Sequence, residues 1–308
     1  MHWEQRHGGE QVQYELQWAQ GDKIGGYFLK RLIGRGSFGE VLEVERDGKR
    51  YALKLANPAD NTGLKNEIDL DSGLRHEPVY LEAVLPILEH GEFSLGEVTY
   101  SYYVRALCDG NLWMYRQKFA DTSAILEVME KAVDTTLRFH TIKTKGIGVV
   151  HRDLKPGNLL YAMKSNRLVS VSIGDLGTLR TVAVRADGTL SQGAGTDPYM
   201  PWDAYSRGQR TQKHDVFSMG MTLVQMLTGE LPKVWITHKV EGIRVYEGLL
   251  QPSNLLKQHE VTPVLSDQEK GLLSAALKEY GQAGQELIKA IEGTLAWDPQ
   301  KRDLVRLH

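Results

Sequence analysis

Residues His151 to Asn158 read H-R-D-L-K-P-G-N, and three of these side chains answer one chemistry. Moving the terminal phosphoryl group of a nucleotide triphosphate to a hydroxyl needs a carboxylate to orient the hydroxyl and accept its proton. It also needs a cation beside the transferring group and an oxygen ligand for a divalent metal. Asp153, Lys155 and Asn158 supply these in order. A second carboxylate, Asp175, stands in G-D-L-G at Gly174 to Gly177, and upstream lie a glycine-rich turn, G-R-G-S-F-G-E-V from Gly34 to Val41, and a strand lysine, Lys54 in Y-A-L-K-L. Taken singly these are weak: Asp-x-Gly is commonly a turn, a strand lysine commonly faces solvent, and a glycine-rich hairpin can be only that. Together they form a phosphate-handling set.

The elements that must position this set follow from periodicity. From Tyr27 the chain alternates as strands do: Y-F-L-K-R-L-I-G, the glycine turn, E-V-L-E-V-E-R, the hairpin signal Asp47-Gly48, then R-Y-A-L-K-L-A. Two more strands are expected over P-I-L-E-H-G-E-F and T-Y-S-Y-Y-V-R-A-L, completing a five-stranded antiparallel sheet, and the stretch L-K-N-E-I-D-L-D-S-G-L-R-H before them resembles the αC helix of the protein kinases, the one helix of this unit. Ile125, Met129, Ala132, Val133, Leu137 and His140 recur at helical spacing, so residues 122–144 are expected to form a long amphipathic helix leading to the H-R-D segment. Asp215 to Gly229 is apolar on nearly every face, which predicts a buried helix. Residues 230–297 read as further helices with loops near 251–253 and 262–266.

These motifs, in this order, resemble the catalytic domain of the eukaryotic-type protein serine/threonine kinases from about Gly25 to Arg302. The lysine two residues after the aspartate is the serine/threonine form of the catalytic loop. The resemblance implies an α+β, bilobal kinase fold: an N-terminal extension over 1–20, expected to be a flexible arm or a strap packed on the small lobe, a small β lobe with one helix over 21–108, and a larger, mainly helical lobe over 109–308. It implies ATP with magnesium, manganese being an alternative, and a protein substrate bearing a serine or threonine. Asp153 and Lys155 are the implied catalytic residues with Lys54, and Asn158 and Asp175 the metal ligands. Nucleotide contacts are implied for Ile33, Gly34, Arg35, Gly36, Ser37, Phe38, Gly39, Val41, Ala52, Lys54, Glu67 and Leu160. Glu67 has the register of the glutamate that pairs with the strand lysine. His151 is implied to hold the loop, and Asp215 to accept hydrogen bonds from its backbone.

G-T-D-P-Y-M-P-W-D, Gly195 to Asp203, resembles the family's G-T-x-x-Y-x-A-P-E segment, with Thr196 as its fixed threonine. Asp203 stands for the glutamate that pairs with the arginine of D-P-x-x-R, here Arg302. Arg152, before the catalytic aspartate, marks kinases ordered by phosphorylation of this segment, so autophosphorylation is expected at Ser191 or Thr189. Two departures stand out. Asp71, one turn after Glu67, replaces a usually apolar residue, and Arg105 occupies what resembles the gatekeeper position before a hinge at Ala106 to Asp109.

The whole chain of 308 residues is long enough for two lobes with their own cores. Its 41% hydrophobic and 25% charged content is that of a soluble globular protein, and a net charge of −2 gives no reason to expect nucleic acid or an anionic membrane as partner. There is no signal-peptide core, and the single cysteine, Cys108, suits a reducing compartment, so a cytoplasmic location is expected. The sequence ends soon after Arg302, where the family usually completes a last helix, so a trimmed chain or a fragment is expected. Two alternatives remain beside the kinase reading: a pseudokinase scaffold on the same fold, which would have to keep Lys54, Asp153 and Asp175 without using them, and a small-molecule phosphotransferase, which usually lacks the loop lysine and the 195–203 segment.

Overall fold

The computed structural model describes residues 2–8, 11–17, 19–36, 39–56, 62–95, 97–144, 147–181, 196, 199–201, 211–231, 235–237, 242–244, 265–296 and 298–304. They fall into two compact units, 1–76 with 85–108 and 77–84 with 109–308. Among the described residues no helix is long and apolar enough to cross a membrane.

The first unit is built on an antiparallel sheet of six strands. Its strands are β3 (Lys23–Ile24), β4 (Tyr27–Gly36), β5 (Gly39–Arg46), β6 (Lys49–Ala56), β7 (Glu89–Leu95) and β8 (Val98–Ala106), in the order β3-β4-β5-β6-β8-β7. The expected five strands are all present, and the sixth is the two-residue edge strand β3, too short to leave a periodic signal. Successive side chains of a strand point to opposite faces. Tyr27, Leu29, Leu42, Val44, Leu53, Leu55, Tyr100, Tyr102 and Val104 therefore gather on one face as a buried apolar cluster. Residues of the other parity, Val41, Ala52, Lys54, Tyr103 and Arg105, lie in register on the opposite face: Val41 is opposite Lys54, Lys54 opposite Tyr103, and Ala52 opposite Arg105. The β5–β6 connection is the expected Asp-Gly turn. Asp47 and Gly48 both take positive φ, 53° and 72°, as the tight hairpin matching the twist of the strands requires. Helix α1 (Thr62–Leu74) turns Leu64, Glu67, Asp71 and Leu74 inward.

The N-terminal stretch, expected as an arm or a strap, is a hairpin that the sequence reading did not anticipate. His2–Gly8 (β1) and Gln11–Gln17 (β2) pair antiparallel through seven residues each. The alternation of Val12, Tyr14 and Leu16 with polar residues is a strand pattern that the isolated aromatic residues obscured.

The second unit contains the two-residue strand β9 (Gly110–Asn111) and the helices α2 (Pro78–Ala83), α3 (Leu112–Lys118), α4 (Thr122–Thr141), α5 (Gln212–Thr228), α6 (Asp267–Ala276) and α7 (Gly281–Thr294). Helix α4 stops at Thr141 rather than residue 144. Lys143–Thr144 (β10) instead pairs with Ile147–Val150 (β11), and this redirects the chain into the H-R-D segment. Helix α5 is the buried helix the sequence predicts. Thr211 and His214 form a capping box at its start, Gly229 at φ 82° ends it, and every residue from His214 to Val224 is buried. Between α5 and α6 the structure places a small hairpin, Trp235–Thr237 with Gly242–Arg244, where only helices and loops were expected.

Where α5 and α7 cross, Gly220 has no side chain to hold the helices apart. A Cβ there would lie 2.1 Å from Thr294 Oγ1 and 2.8 Å from Leu295 Cδ2. Gly220→Ala is therefore an overpacking substitution in a buried helix pair. It is expected to destabilise the protein by about 1–3 kcal/mol, read as a lower denaturation midpoint with unchanged slope.

Candidate active site

The first unit brings Lys54 and Glu67 together. The glutamate is fully buried, and its Oε1 accepts from Lys54 Nζ as an ion pair. Its Oε2 accepts from the Tyr103 hydroxyl at 2.7 Å, and Arg105 Nη2 stands 3.9 Å away. The Arg105 guanidinium lies 4.6 Å from the centre of the Tyr103 ring, a cation–π contact. A buried carboxylate is costly unless paired and hydrogen-bonded. Here two cations and a phenol surround it. Tyr103 is the residue sequence reasoning missed, although the register of β6 with β8 puts it opposite Lys54. The buried Arg105 shows that this face of the sheet is polar, in line with the departure noted in the sequence.

The glycine turn is framed by pairs Gly34 with Val41, Arg35 with Glu40, and Gly36 with Gly39, and Arg35 Nε donates to Glu40 Oε1 at 2.7 Å. Ile33 is more exposed than Val41 and Ala52, which are half-buried. The predicted contacts Ser37 and Phe38 lie outside the described residues.

In the second unit two loops are stapled at both ends. The chain leaves β11, runs through His151–Asn158 and enters β12 (Leu159–Lys164). It then returns through β13 (Arg167–Ile173), passes Gly174–Leu179 and enters β14 (Arg180–Thr181). Strand β11 pairs with β14, Val150 opposite Arg180, and β12 with β13, Leu159 opposite Ile173. The catalytic-loop candidates and Asp175 are thus held by two antiparallel ladders, and Gly174 N–H donates to the Asn158 carbonyl at 2.8 Å where the loops meet.

Within that frame Asp153, Lys155, Asn158 and Thr196 converge. Asp153 Oδ2 accepts from Lys155 Nζ at 2.8 Å and from Asn158 Nδ2 at 3.0 Å. Asn158 Nδ2 also donates to the Asp153 carbonyl at 2.7 Å, and Lys155 Nζ reaches Thr196 Oγ1 at 2.5 Å. Asp153 Oδ1, by contrast, is buried with no hydrogen-bond partner among the described residues. One oxygen is fixed and the other is free to accept. Asp175 takes a left-handed conformation, φ 50° and ψ 76°, and Leu176 behind it is fully buried. Leu160, on β12, is half-buried against Gly174.

His151 is structural in geometry. Its Nδ1 accepts from the Asp153 N–H at 3.3 Å and its Nε2 lies 3.1 Å from the Gly174 carbonyl, so the proton sits on Nε2. The ring thereby ties the two loops together. Asp215, buried on α5, accepts from the backbone N–H groups of His151 and Arg152, each at 2.8 Å, and from His140 Nε2 at 3.0 Å. His140 was placed among the apolar positions of α4, whereas its ring is a donor to this carboxylate. Spacing does not distinguish an apolar face residue from a half-buried polar one.

Arg302 is fully buried, donates from Nε to the Ala296 carbonyl at 2.7 Å and lies 5.1 Å from the Phe217 ring centre. Its expected partner Asp203 lies outside the described residues, as do Ser191 and Thr189.

Residues 27–305 match the protein kinase domain family. Among curated proteins the chain is 30% identical over 217 residues to wall-associated receptor kinase-like 5 of Arabidopsis thaliana, covering 67% of this chain and 28% of that protein. It is 29% identical over 240 residues to the serine/threonine-protein kinase Nek4 of Mus musculus, covering 73% of this chain and 28% of the relative. The chain belongs to the protein kinase family. It spans less than a third of the length of the curated relatives it matches.

The Asp215 anchor has a pH signature. Burial pushes its carboxyl up, but the hydrogen bond and charge of His140, with the His151 N–H, more than offset this and hold it below the ordinary aspartate value. A carboxylate depressed in the folded state contributes stability that is complete above the unfolded value and is lost as pH falls through the folded one. The protein is therefore expected to lose stability with acid below the ordinary aspartate range. Asp215→Asn should flatten that limb in denaturation curves taken across pH.

Proposed function

We propose that this chain is an ATP-dependent protein serine/threonine kinase. The observation that carries the reading is the Asp153 carboxylate. Lys155 and Asn158 hold Oδ2, and Oδ1 is buried without a partner among the described residues, an acceptor position suited to a substrate hydroxyl. Lys155 is bonded at once to the Asp153 carboxylate and to Thr196, which supports assigning this cation to the charge that develops during transfer. Lys54, made rigid by Glu67, is assigned to the α- and β-phosphates, and the backbone of the glycine turn to the same group.

Asn158 and Asp175 are assigned to the metal. An amide oxygen and a carboxylate, joined by the Gly174 to Asn158 bond at the meeting of the two loops, form an all-oxygen donor set that fits magnesium completed by phosphate oxygens. Bound there, the ion would neutralise phosphate charge. Orienting the hydroxyl and holding its proton fall to Asp153. The loop lysine favours a protein substrate over a small molecule. A cytoplasmic location belongs to the same reading and is supported by the lone cysteine.

Asp153→Asn is expected to preserve folding and nucleotide binding while lowering phosphoryl transfer by roughly 10²–10⁴-fold. Labelled ATP and magnesium with a generic protein substrate is the assay, and near-native turnover in this variant would exclude the mechanism.

Regulation by the segment after Asp175 is part of the proposal. Arg152 is buried beside the catalytic aspartate, a cation placed to order a phosphorylated segment. Phosphate is expected on Ser191 or Thr189 of protein expressed active and absent from Asp153→Asn protein, by mass spectrometry. Full activity of a Ser191→Ala/Thr189→Ala double variant would dissociate activity from this modification.

A further inference from the structure

Helix α1 carries two buried carboxylates one turn apart on its inner face. Glu67 pairs with Lys54, and Asp71, equally buried, pairs with Arg75. Its Oδ1 accepts from the Ile87 N–H at 2.9 Å, and its Oδ2 accepts from Arg75 Nε at 3.1 Å and also from Arg75 Nη2. Arg75 Nη2 closes the ring by donating to the Ile87 carbonyl at 2.6 Å. Both backbone groups of Ile87 are therefore held, one by Asp71 of α1 and the other by Arg75, the residue directly after the helix.

Ile87 is itself fixed to the sheet. It packs in a buried cluster with Ala56, Leu64 and Tyr103, and its neighbour Leu88 donates to the Val104 carbonyl at 2.8 Å, beside the residues that surround Glu67. Apolar contacts at Leu64 and Ile68 attract the helix to the sheet without fixing its rotation, because burial is non-directional. The clamp is directional. Any turn of α1 that withdrew Glu67 from Lys54 would also break the bonds of Asp71, one helical turn away on the same face.

We infer that Asp71 is a positioning residue that, through Arg75 and the backbone of Ile87, locks α1 in the rotation at which Glu67 meets Lys54. A buried charge retained for orientation rather than for stability accounts for a carboxylate where an apolar residue would pack. The inference rests on the kinase reading only for its kinetic consequence. The locked ion pair can be read without turnover.

The test has two arms. In the first, Lys54 acetylation by an amine-reactive ester is followed by mass spectrometry on nucleotide-free protein below its melting temperature. Asp71→Asn and Arg75→Gln are expected to raise the Lys54 rate several-fold over unchanged surface lysines such as Lys49. Arg75→Lys, which keeps the charge but not the planar fork, should fall between. In the second arm kcat/KM for ATP is measured in a cycle. Asp71→Asn is expected to lower it about tenfold, the equivalent of ~1.4 kcal/mol. Combined with Glu67→Gln it should lower kcat/KM no further than Glu67→Gln alone.

Native Lys54 protection in both Asp71→Asn and Arg75→Gln, or losses that multiply in the double variant, overturns the inference. If Asp71→Asn does not fold, the half-exposed Arg75 supplies both arms. Absence of phosphoryl transfer in the unaltered protein would overturn the kinase reading, while the acetylation arm still decides this one.

Discussion

The second unit depends on one buried carboxylate. Asp215 sits on a helix buried on nearly every side and spends its two oxygens on the backbone of His151 and Arg152 and on the His140 ring. These bonds hold the chain in a conformation it would otherwise avoid. Arg152 has φ 75°, which is unfavourable for a non-glycine residue and persists only where the surroundings over-determine it. With Arg152 turned this way, the next residue, Asp153, is delivered to Lys155 and Asn158. The rigid donor is the helix, and the loop borrows its rigidity.

The two ladders complete what Asp215 begins. Because β11 pairs with β14 and β12 with β13, both ends of the His151–Asn158 loop and both ends of the Asp175 segment are hydrogen-bonded before any side chain is considered. The remaining freedom is removed by the Gly174 to Asn158 bond and by His151, whose ring spans the two loops. Functional groups on loops are thus placed with the precision of regular structure.

In the first unit, the two faces of one sheet divide the work. The period of two sends Leu42, Val44, Leu53 and Leu55 to an apolar cluster and leaves Lys54, Tyr103 and Arg105 on the other face with Glu67 of α1. Charge is tolerated there because it is compensated: the fully buried Glu67 is matched by Lys54, Tyr103 and Arg105, and Asp71 by Arg75 and a backbone N–H. Polar contacts of this kind fix geometry that hydrophobic packing alone leaves loose.

The sequence by itself determined the residue types of the candidate site and most of the elements. The order and spacing of Asp153, Lys155 and Asn158 are local, as are the Asp47-Gly48 turn, the alternation of the sheet strands and the all-round apolarity of α5, so each leaves a signal within a short window. The tertiary structure decided what depends on partners far apart in the chain. It gave Asp71 the Ile87 backbone, set Arg105 and Tyr103 beside Glu67, made His140 a donor to Asp215 rather than part of an apolar stripe, and paired residues 235–237 with 242–244. A period identifies which face a residue occupies, but whether a polar side chain on that face meets a partner is fixed only when separate elements come into register.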